Sequence, residues 1–435
     1  MSKKFNRYTI TLVSLMLVVG LLAACAPKAT TEPTAAPTAA PTEEVVATPE
    51  PTKEPVTINL WVIDRVGADA METVKTVAEQ WAAETGNTVV VTEGNQFEML
   101  NNIPVAIPAG EGPDIFLNIN NYIGGHYAAE LIIPLEEYLD ETEKANYLQN
   151  ALDSFTLDGH LLGIPFAADT CALVYNKALV PTAPSTMNEL IAMAKPLTSG
   201  DQYGFLYQID SFWYSYPFMA AYGGYVFKWT GTGYDVADLG FSNAGAIEGL
   251  TYLKSLVDEG LMPADATADV MNSLFTEGKI GMIITNPTMV PSFEAAGIDI
   301  GIAPIPTTPN GESPRPFATY SGFSVSSQSE NPDVAADLAV YMGKNLPLPL
   351  YKTNHGNIPV YTPVAENEEL KSDEQLAGWV KQLAVSEVLP SINEMNFVWG
   401  PATTAFMTIV HGDEDPTTAL TSAQELILQA IAENQ

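Results

Sequence analysis

Residues 57–92 read as a strand, a helix and a second strand, and this order restricts the fold more than any other feature of the chain. Thr57-Ile58-Asn59-Leu60-Trp61-Val62 alternates apolar and polar positions and is rich in β-formers. Met71, Val74, Val77, Ala78 and Trp81 then recur at helical spacing, and Gly86 stops that run. Residues 87–92, β-branched from Thr88 onward, form a second strand. Such a β-α-β unit pairs its strands in parallel through a right-handed crossover. The pattern continues. Gly112-Pro113-Asp114-Ile115-Phe116-Leu117 is a turn into a third strand, and residues 163–166 and 172–175 are further strands. Residues 244–259 form an amphipathic helix closed by Gly260, and Phe275-Thr276-Glu277-Gly278-Lys279 leads into a strand at 280–284. A short strand at 300–304 and helices at 333–342 and 416–432 complete the body. Strands and helices alternate throughout, so the fold class is α/β with mixed sheets.

Ahead of this body stands a different kind of sequence. Lys3, Lys4 and Arg7 are followed by a nearly uninterrupted apolar run over residues 10–22, too short to read as a permanent spanning helix. The run ends in Leu22-Ala23-Ala24-Cys25, which matches every position of a bacterial lipobox. An uncleaved anchor or an incidental cysteine is the alternative. The lipobox reading makes residues 1–24 a lipoprotein signal peptide and Cys25 the lipid-bearing first residue of the mature chain. Residues 25–56 are rich in Thr, Pro and Ala and free of aromatics, with no apolar surface to offset their conformational entropy. As an extended linker at ~3.1 Å per residue, roughly 30 residues reach ~90 Å. The expected location is extracytoplasmic, with the membrane touched only through the lipid.

Composition excludes whole classes of partner. The chain carries 18 basic and 52 acidic residues, a net charge of −34. Nucleic-acid binding through phosphate contacts needs the opposite balance, and an anionic ligand would be repelled. A neutral or cationic partner is favoured. Cys171 is the one cysteine besides Cys25, so the mature body contains no intrachain disulfide and its stability rests on an ordinary core.

Motifs of catalysis are missing. His126, His160, His355 and His411 stand alone, without metal-ligand spacing, and read as surface or loop residues. There is no GxSxG elbow and no P-loop; Gly231-Thr232-Gly233 lacks the third glycine of a dinucleotide loop, and Asp413-Glu414-Asp415 lacks the spacing of a calcium loop. No catalytic residue, cofactor or metal is called for. Carboxylates are abundant, so a paired-carboxylate glycoside hydrolase stays open on this ground alone.

Aromatic residues cluster beside polar ones. Phe212-Trp213-Tyr214-Ser215-Tyr216 packs four aromatics into five positions, and Phe397-Val398-Trp399 forms a second group. Sugar rings present apolar C–H faces that lie on aromatic platforms, while their hydroxyls need polar partners at the edge. Tyr216, Tyr225, Phe227 and Trp229 read as core; Trp213 and Trp399 read as platforms.

From about residue 57 onward the order of motifs resembles the maltose/maltodextrin-binding proteins of ABC importers. The landmarks are Gly112-Pro113-Asp114-Ile115, Gly124-Gly125, Tyr175-Asn176-Lys177, Gly223-Gly224-Tyr225-Val226-Phe227-Lys228, Gly233-Tyr234-Asp235, Asn243-Ala244-Gly245-Ala246, Phe275-Thr276-Glu277-Gly278-Lys279 and Trp399. Gly-Pro-Asp and Phe-x-x-Gly-Lys are common to the wider solute-binding family 1; the Gly-Gly-Tyr-x-Phe-Lys run and its sequel are specific to the maltodextrin-like branch. The resemblance implies a two-lobed periplasmic-binding-protein-like fold of type II, with discontinuous lobes joined by hinge segments. It places an N-terminal lobe at 57–167 and 321–366 and a C-terminal lobe at 168–320 and 367–435.

Carried over position by position, the resemblance makes Trp399 a stacking tryptophan and puts Trp213, with Phe212 beside it, on a stacking tyrosine. Asp169 stands for a glutamate, and Asn121 and Tyr122 for an Asp-Arg pair. Asn118 and Thr288 replace two stacking tryptophans, and Ser211 replaces a carboxylate. Asp64 and Arg65 lie near an acidic-basic pair, and Glu98 or Gln96 matches a polar contact. The implied function is capture of a maltodextrin-like oligosaccharide by hinge closure and delivery to the transmembrane subunits of an ABC permease, by a monomer with no enzymatic activity. A binder of another neutral oligosaccharide or solute, or a lipid-anchored glycoside hydrolase, is the competing reading.

Overall fold

The computed structural model describes residues 54–67, 70–231 and 233–434. The stretches expected to be a signal peptide and a linker, with Cys25 and up to Lys53, lie outside the described residues. At the start of the described body, Thr88 N–H donates to the Val56 carbonyl (2.9 Å), and Val56 N–H donates to Asn87 Oδ1 (3.1 Å).

The first strand, Thr57–Ile63, pairs in parallel with Thr88–Gly94 on one side and Ile115–Ile119 on the other, as the β-α-β reading requires. The helix between the first two, Met71–Thr85, buries Met71, Val74, Val77, Ala78 and Trp81, the residues set at helical spacing in the sequence. It ends at Gly86, whose φ of 77° suits a residue without a Cβ. A helix the pattern did not announce, Gln96–Ala109, forms despite Pro104 and Pro108. Asn95 caps it by accepting from Phe97 N–H and Glu98 N–H. Burial of Leu100, Ile103, Ala106 and Ile107 along one face then outweighs the two missing donors.

Two sheets organise the body. The first has seven strands in the order Ile358–Pro359, Ile164–Thr170, Phe317–Val325, Ile115–Ile119, Thr57–Ile63, Thr88–Gly94, with Glu387–Val388 also pairing with Phe317–Val325. The second has four, in the order Ile300–Ala303, Ala172–Asn176, Ile280–Thr285, Tyr203–Phe205. A separate hairpin joins Lys228–Trp229 to Tyr234–Asp235. The chain leaves the first sheet at Cys171, returns between Ala303 and Phe317, and leaves again between Pro359 and the helix Glu374–Leu383, which packs on Ile300–Ala303. Parallel and antiparallel pairs coexist, so both sheets are mixed. The lobe limits drawn at 167/168 and 320/321 fall inside strands that stay whole in the first sheet. The stretch 387–392, assigned to the C-terminal lobe, also lies against that sheet: Glu387–Val388 pairs with Phe317 and Ala318, and Asn120 Nδ2 donates to Leu389 O.

Two expectations change. His126 is buried, not a surface residue: it lies in the helix Asn120–Ala128, and burial pushes its pKa down to about 4. Trp229 is 55% exposed rather than core, because its two-residue strand has only the hairpin partner to pack against. Cys171 is buried. No described helix is long and apolar enough to cross a membrane.

Gly378 shows how tightly the Glu374–Leu383 helix sits on the second sheet. A Cβ there would come within 2.3 Å of the Ile302 carbonyl oxygen. A glycine-to-alanine change inside a helix ordinarily stabilises by about 1 kcal/mol. Here the sign reverses: Gly378→Ala is expected to cost about 2 kcal/mol, because backbone rather than a flexible side chain must yield. Urea unfolding followed by circular dichroism reads the difference.

Candidate functional site

The adjoining strands Ile164–Thr170 and Phe317–Val325 carry the chain out of the first sheet and back, and their ends build the site. Asp169 and Thr319 are direct cross-strand partners. One guanidinium nitrogen of Arg65 serves both, donating to Asp169 Oδ2 (3.0 Å) and to Thr319 Oγ1 (2.6 Å). Arg65 can reach them because Thr57–Ile63 ends in a 3-10 turn, Asp64–Val66, that turns its side chain toward the neighbouring strands. Asp64 pins that turn from the other side, accepting from Gln96 N–H (3.0 Å) and Asn95 Nδ2 (3.1 Å).

The relay continues into the second sheet. Asn286, just past Ile280–Thr285, donates through Nδ2 to Asp169 Oδ1 (2.7 Å) and accepts from Trp213 Nε1 (3.1 Å). Arg65, Asp169, Asn286 and Trp213 thus form one hydrogen-bonded chain across the two sheets. Only 19% of the Arg65 side chain and 14% of the Asp169 side chain are exposed. Burial pushes the Asp169 carboxyl above its ordinary value of 3.8, with the Arg65 charge and the Asn286 amide pulling it back. Tyr122 is half-buried on the helix Asn120–Ala128, where burial raises its phenol pKa and the Arg65 charge opposes the rise. The protein is strongly acidic overall, yet the buried Asp169 carboxylate is paired with the Arg65 cation, an environment suited to a neutral ligand.

Beside the relay stands an aromatic wall. Trp213 and Trp399 lie with ring centroids 6.5 Å apart and planes 31° from parallel. A sugar held between two rings needs ~3.5–4.0 Å on each face, or about 7–8 Å in all. The indoles are therefore neighbours on one wall, not the two sides of a sandwich. Phe317 supports both, at 6.0 Å from Trp213 and 6.5 Å from Trp399, and itself stacks on Tyr216 at 3.8 Å.

The structure brings Arg65, Asp169 and Trp213 into one network, with Trp399 against Trp213, Tyr122 near Arg65 and Asn121 beside it in the chain. Two expectations are corrected. Phe212 is 1% exposed and packs edge-on against Trp399, Tyr216, Phe317 and Phe406; it is the foundation under the wall rather than its surface. Asn118 is fully buried, because the strand Ile115–Ile119 is inward on both faces. Its amide already serves His126 Nδ1 and Ser324 Oγ (3.2 Å each) and accepts from Ile119 N–H. Neutral His126 is the acceptor this bond requires. Glu98 is exposed in the first turn of Gln96–Ala109 and is not in the relay.

Asn286 and Thr319 were not read from the sequence. The signal for Asn286 was its place: a polar residue just past the carboxyl end of a wholly buried strand, where α/β folds put their ligand contacts. Phe97, 62% exposed next to the Gln96 N–H that Asp64 holds, was also passed over. Among the described residues no cluster of three or more His, Cys, Asp or Glu could hold a metal.

The pairing of Asp169 has a measurable consequence. Its folded pKa lies above the unfolded value, so its stabilising contribution is present below pH 3.8 and lost as pH rises through the folded pKa. Arg65→Met removes the main opposing charge. The Asp169 midpoint, followed by the chemical shift of its carboxyl carbon, is expected to move upward by about one pH unit or more. An unchanged midpoint would mean that the ion pair does not act on this group.

Known proteins resemble this chain in sequence and shape. A family model described as bacterial extracellular solute-binding protein matches residues 76–378. The galactooligosaccharide-binding protein of Bacillus subtilis is 31% identical over 78% of this chain and 81% of its own length. A maltooligosaccharide ABC transporter solute-binding lipoprotein of Streptococcus pneumoniae is 26% identical over 99% of each chain. A solved cyclo/maltodextrin-binding protein complexed with maltotetraose superposes with a TM-score of 0.80 at 27% identity, covering 87% of this chain and 98% of its own. With this match across most of the body and a two-lobed α/β architecture, the chain belongs to the bacterial extracellular solute-binding proteins, and it is a binder rather than an enzyme.

Proposed function

We propose that the protein is the capture component of an ABC importer, tethered outside the membrane by a lipid on Cys25, and that it takes a neutral maltodextrin-like oligosaccharide between its lobes. The observation that carries this reading is the wall of Trp213 and Trp399 next to a charge-balanced Arg65–Asp169 pair. The indole faces offer stacking to the C–H face of a sugar ring. The unshared N–H groups of Arg65 and the remaining lone pairs of Asp169 offer partners to hydroxyls, in charge-assisted bonds about twice as strong as neutral ones. Open and closed forms exchange, and a ligand touching both lobes favours the closed one by its differential affinity. The monomer then delivers its sugar to the permease transmembrane subunits. The Leu22-Ala23-Ala24-Cys25 motif and the lipoprotein relative aligned over nearly all of the chain support the anchor.

A galactooligosaccharide is the second reading. The relative at 31% identity is named for that ligand, and a one-walled platform with Asn118 buried and threonine at position 288 differs from the aromatic set of the maltodextrin branch.

Calorimetry against maltose, longer maltodextrins, galactooligosaccharides, cello- and xylo-oligosaccharides separates the two readings. Tightest binding to maltodextrins is expected, with compaction on saturation visible by small-angle scattering. Trp399→Ala is expected to weaken binding at least tenfold, about 1.4 kcal/mol. Absence of heat across the panel, or superimposable scattering profiles with and without sugar, would overturn the proposal. Cys25→Ala should move the protein from the membrane fraction to the soluble one.

A further inference from the structure

Asn286 sits where its own backbone has no need of it. Its φ of −88° and ψ of 156° are ordinary extended values, favoured in any case before Pro287, and its side chain makes no local cap. Asparagine at such positions commonly bonds to its own backbone. Here the amide instead joins two distant groups, Asp169 and Trp213, and is 8% exposed. An indole N–H can only donate and an ionised carboxylate can only accept. The bridging group must therefore offer an acceptor to one and a donor to the other, which fixes the amide's orientation.

We propose that Asn286 is the positioning residue of the binding wall, locking the plane of Trp213 and the orientation of Asp169 together and so committing this part of the site to face stacking. The Trp213 N–H is turned inward to Asn286 and is closed to a sugar hydroxyl; the indole presents its face. Asp169 is held from both sides, by Arg65 on Oδ2 and by Asn286 on Oδ1, so its remaining lone pairs point in set directions. Because Asn286 follows a strand of the second sheet and Asp169 belongs to the first, the same amide sets the wall relative to the strands that join the two sheets. The selection for a stacked ring rests on the oligosaccharide reading above; the locking of the indole does not.

Three variants test this. In protein labelled with 15N at the tryptophan indoles, Trp213→Phe identifies the Trp213 Nε1–H resonance. Asn286→Ala is expected to shift that resonance and expose it to solvent exchange, and to weaken oligosaccharide binding at least tenfold. Asn286→Asp supplies a signature that a merely structural role would not produce. Two carboxylates about 2.7 Å apart share a proton, and the protonated acid reproduces both the donor and the acceptor of the amide. The other groups around Asp169 are the Arg65 guanidinium, and Tyr214 and Cys171, whose pKa values burial holds up so that both stay neutral. Asn286→Asp should bind at least tenfold more weakly than the wild type at about pH 7.5 and regain most of that loss near pH 5, while the wild type changes by less than about threefold. An unmoved Trp213 resonance in Asn286→Ala, or a loss in Asn286→Asp that does not depend on pH, overturns the proposal. If the wild type binds no oligosaccharide, the functional reading falls, and the indole resonance still decides the role of Asn286.

Discussion

The antiparallel pairing of Ile164–Thr170 with Phe317–Val325 is the constraint on which both sheets and the site depend. These strands take the chain from the first sheet toward the second and bring it back, and they hold each other in register from Ile164–Phe323 to Thr170–Ala318, with one shift at Ser321/Gly322. The register sets Asp169 opposite Thr319, so one guanidinium can reach both. A slip by one residue would turn one of these side chains to the other face of the sheet and break the relay at its origin.

The same strand organises the aromatic wall. Phe317, its first residue, lies on Tyr216 and supports Trp213 and Trp399, while Phe212 fills the space beneath. Platform and polar relay therefore share one scaffold, since Phe317 under the wall and Thr319 in the relay stand two residues apart on the same strand. Such preorganisation lowers the ordering cost of binding. It also fits the charge pattern: a protein with a net charge of −34 keeps a locally compensated pair at the point where an uncharged ligand would sit.

Legibility from sequence followed the range of the interactions. The helix Met71–Thr85 and its flanking strands were legible because periodicity and a stopping glycine are local signals. Gln96–Ala109 was not, since two prolines argue against a helix and only burial of Leu100, Ile103 and Ile107 overrules them. Trp213 and Trp399 could be singled out as residue types, but their 6.5 Å adjacency on a single wall depends on two helices meeting over Phe317. Asn118 and Phe212 shared the residue type and the neighbourhood of binding groups and were turned inward by packing. His126 belongs with them, a lone histidine made neutral by burial and fitted as the acceptor for Asn118.

Local order, the α/β class, the acidic balance and the candidate aromatic and charged residues were all properties of the sequence by itself, because each depends on spacing or composition within a few turns of chain. Which side chains meet was decided only by tertiary structure. Arg65 and Asp169 stand 104 positions apart, and Asp169 and Asn286 117 apart. No local signal spans such separations; strand register and the packing of one sheet against the next bring these groups within a hydrogen bond of each other.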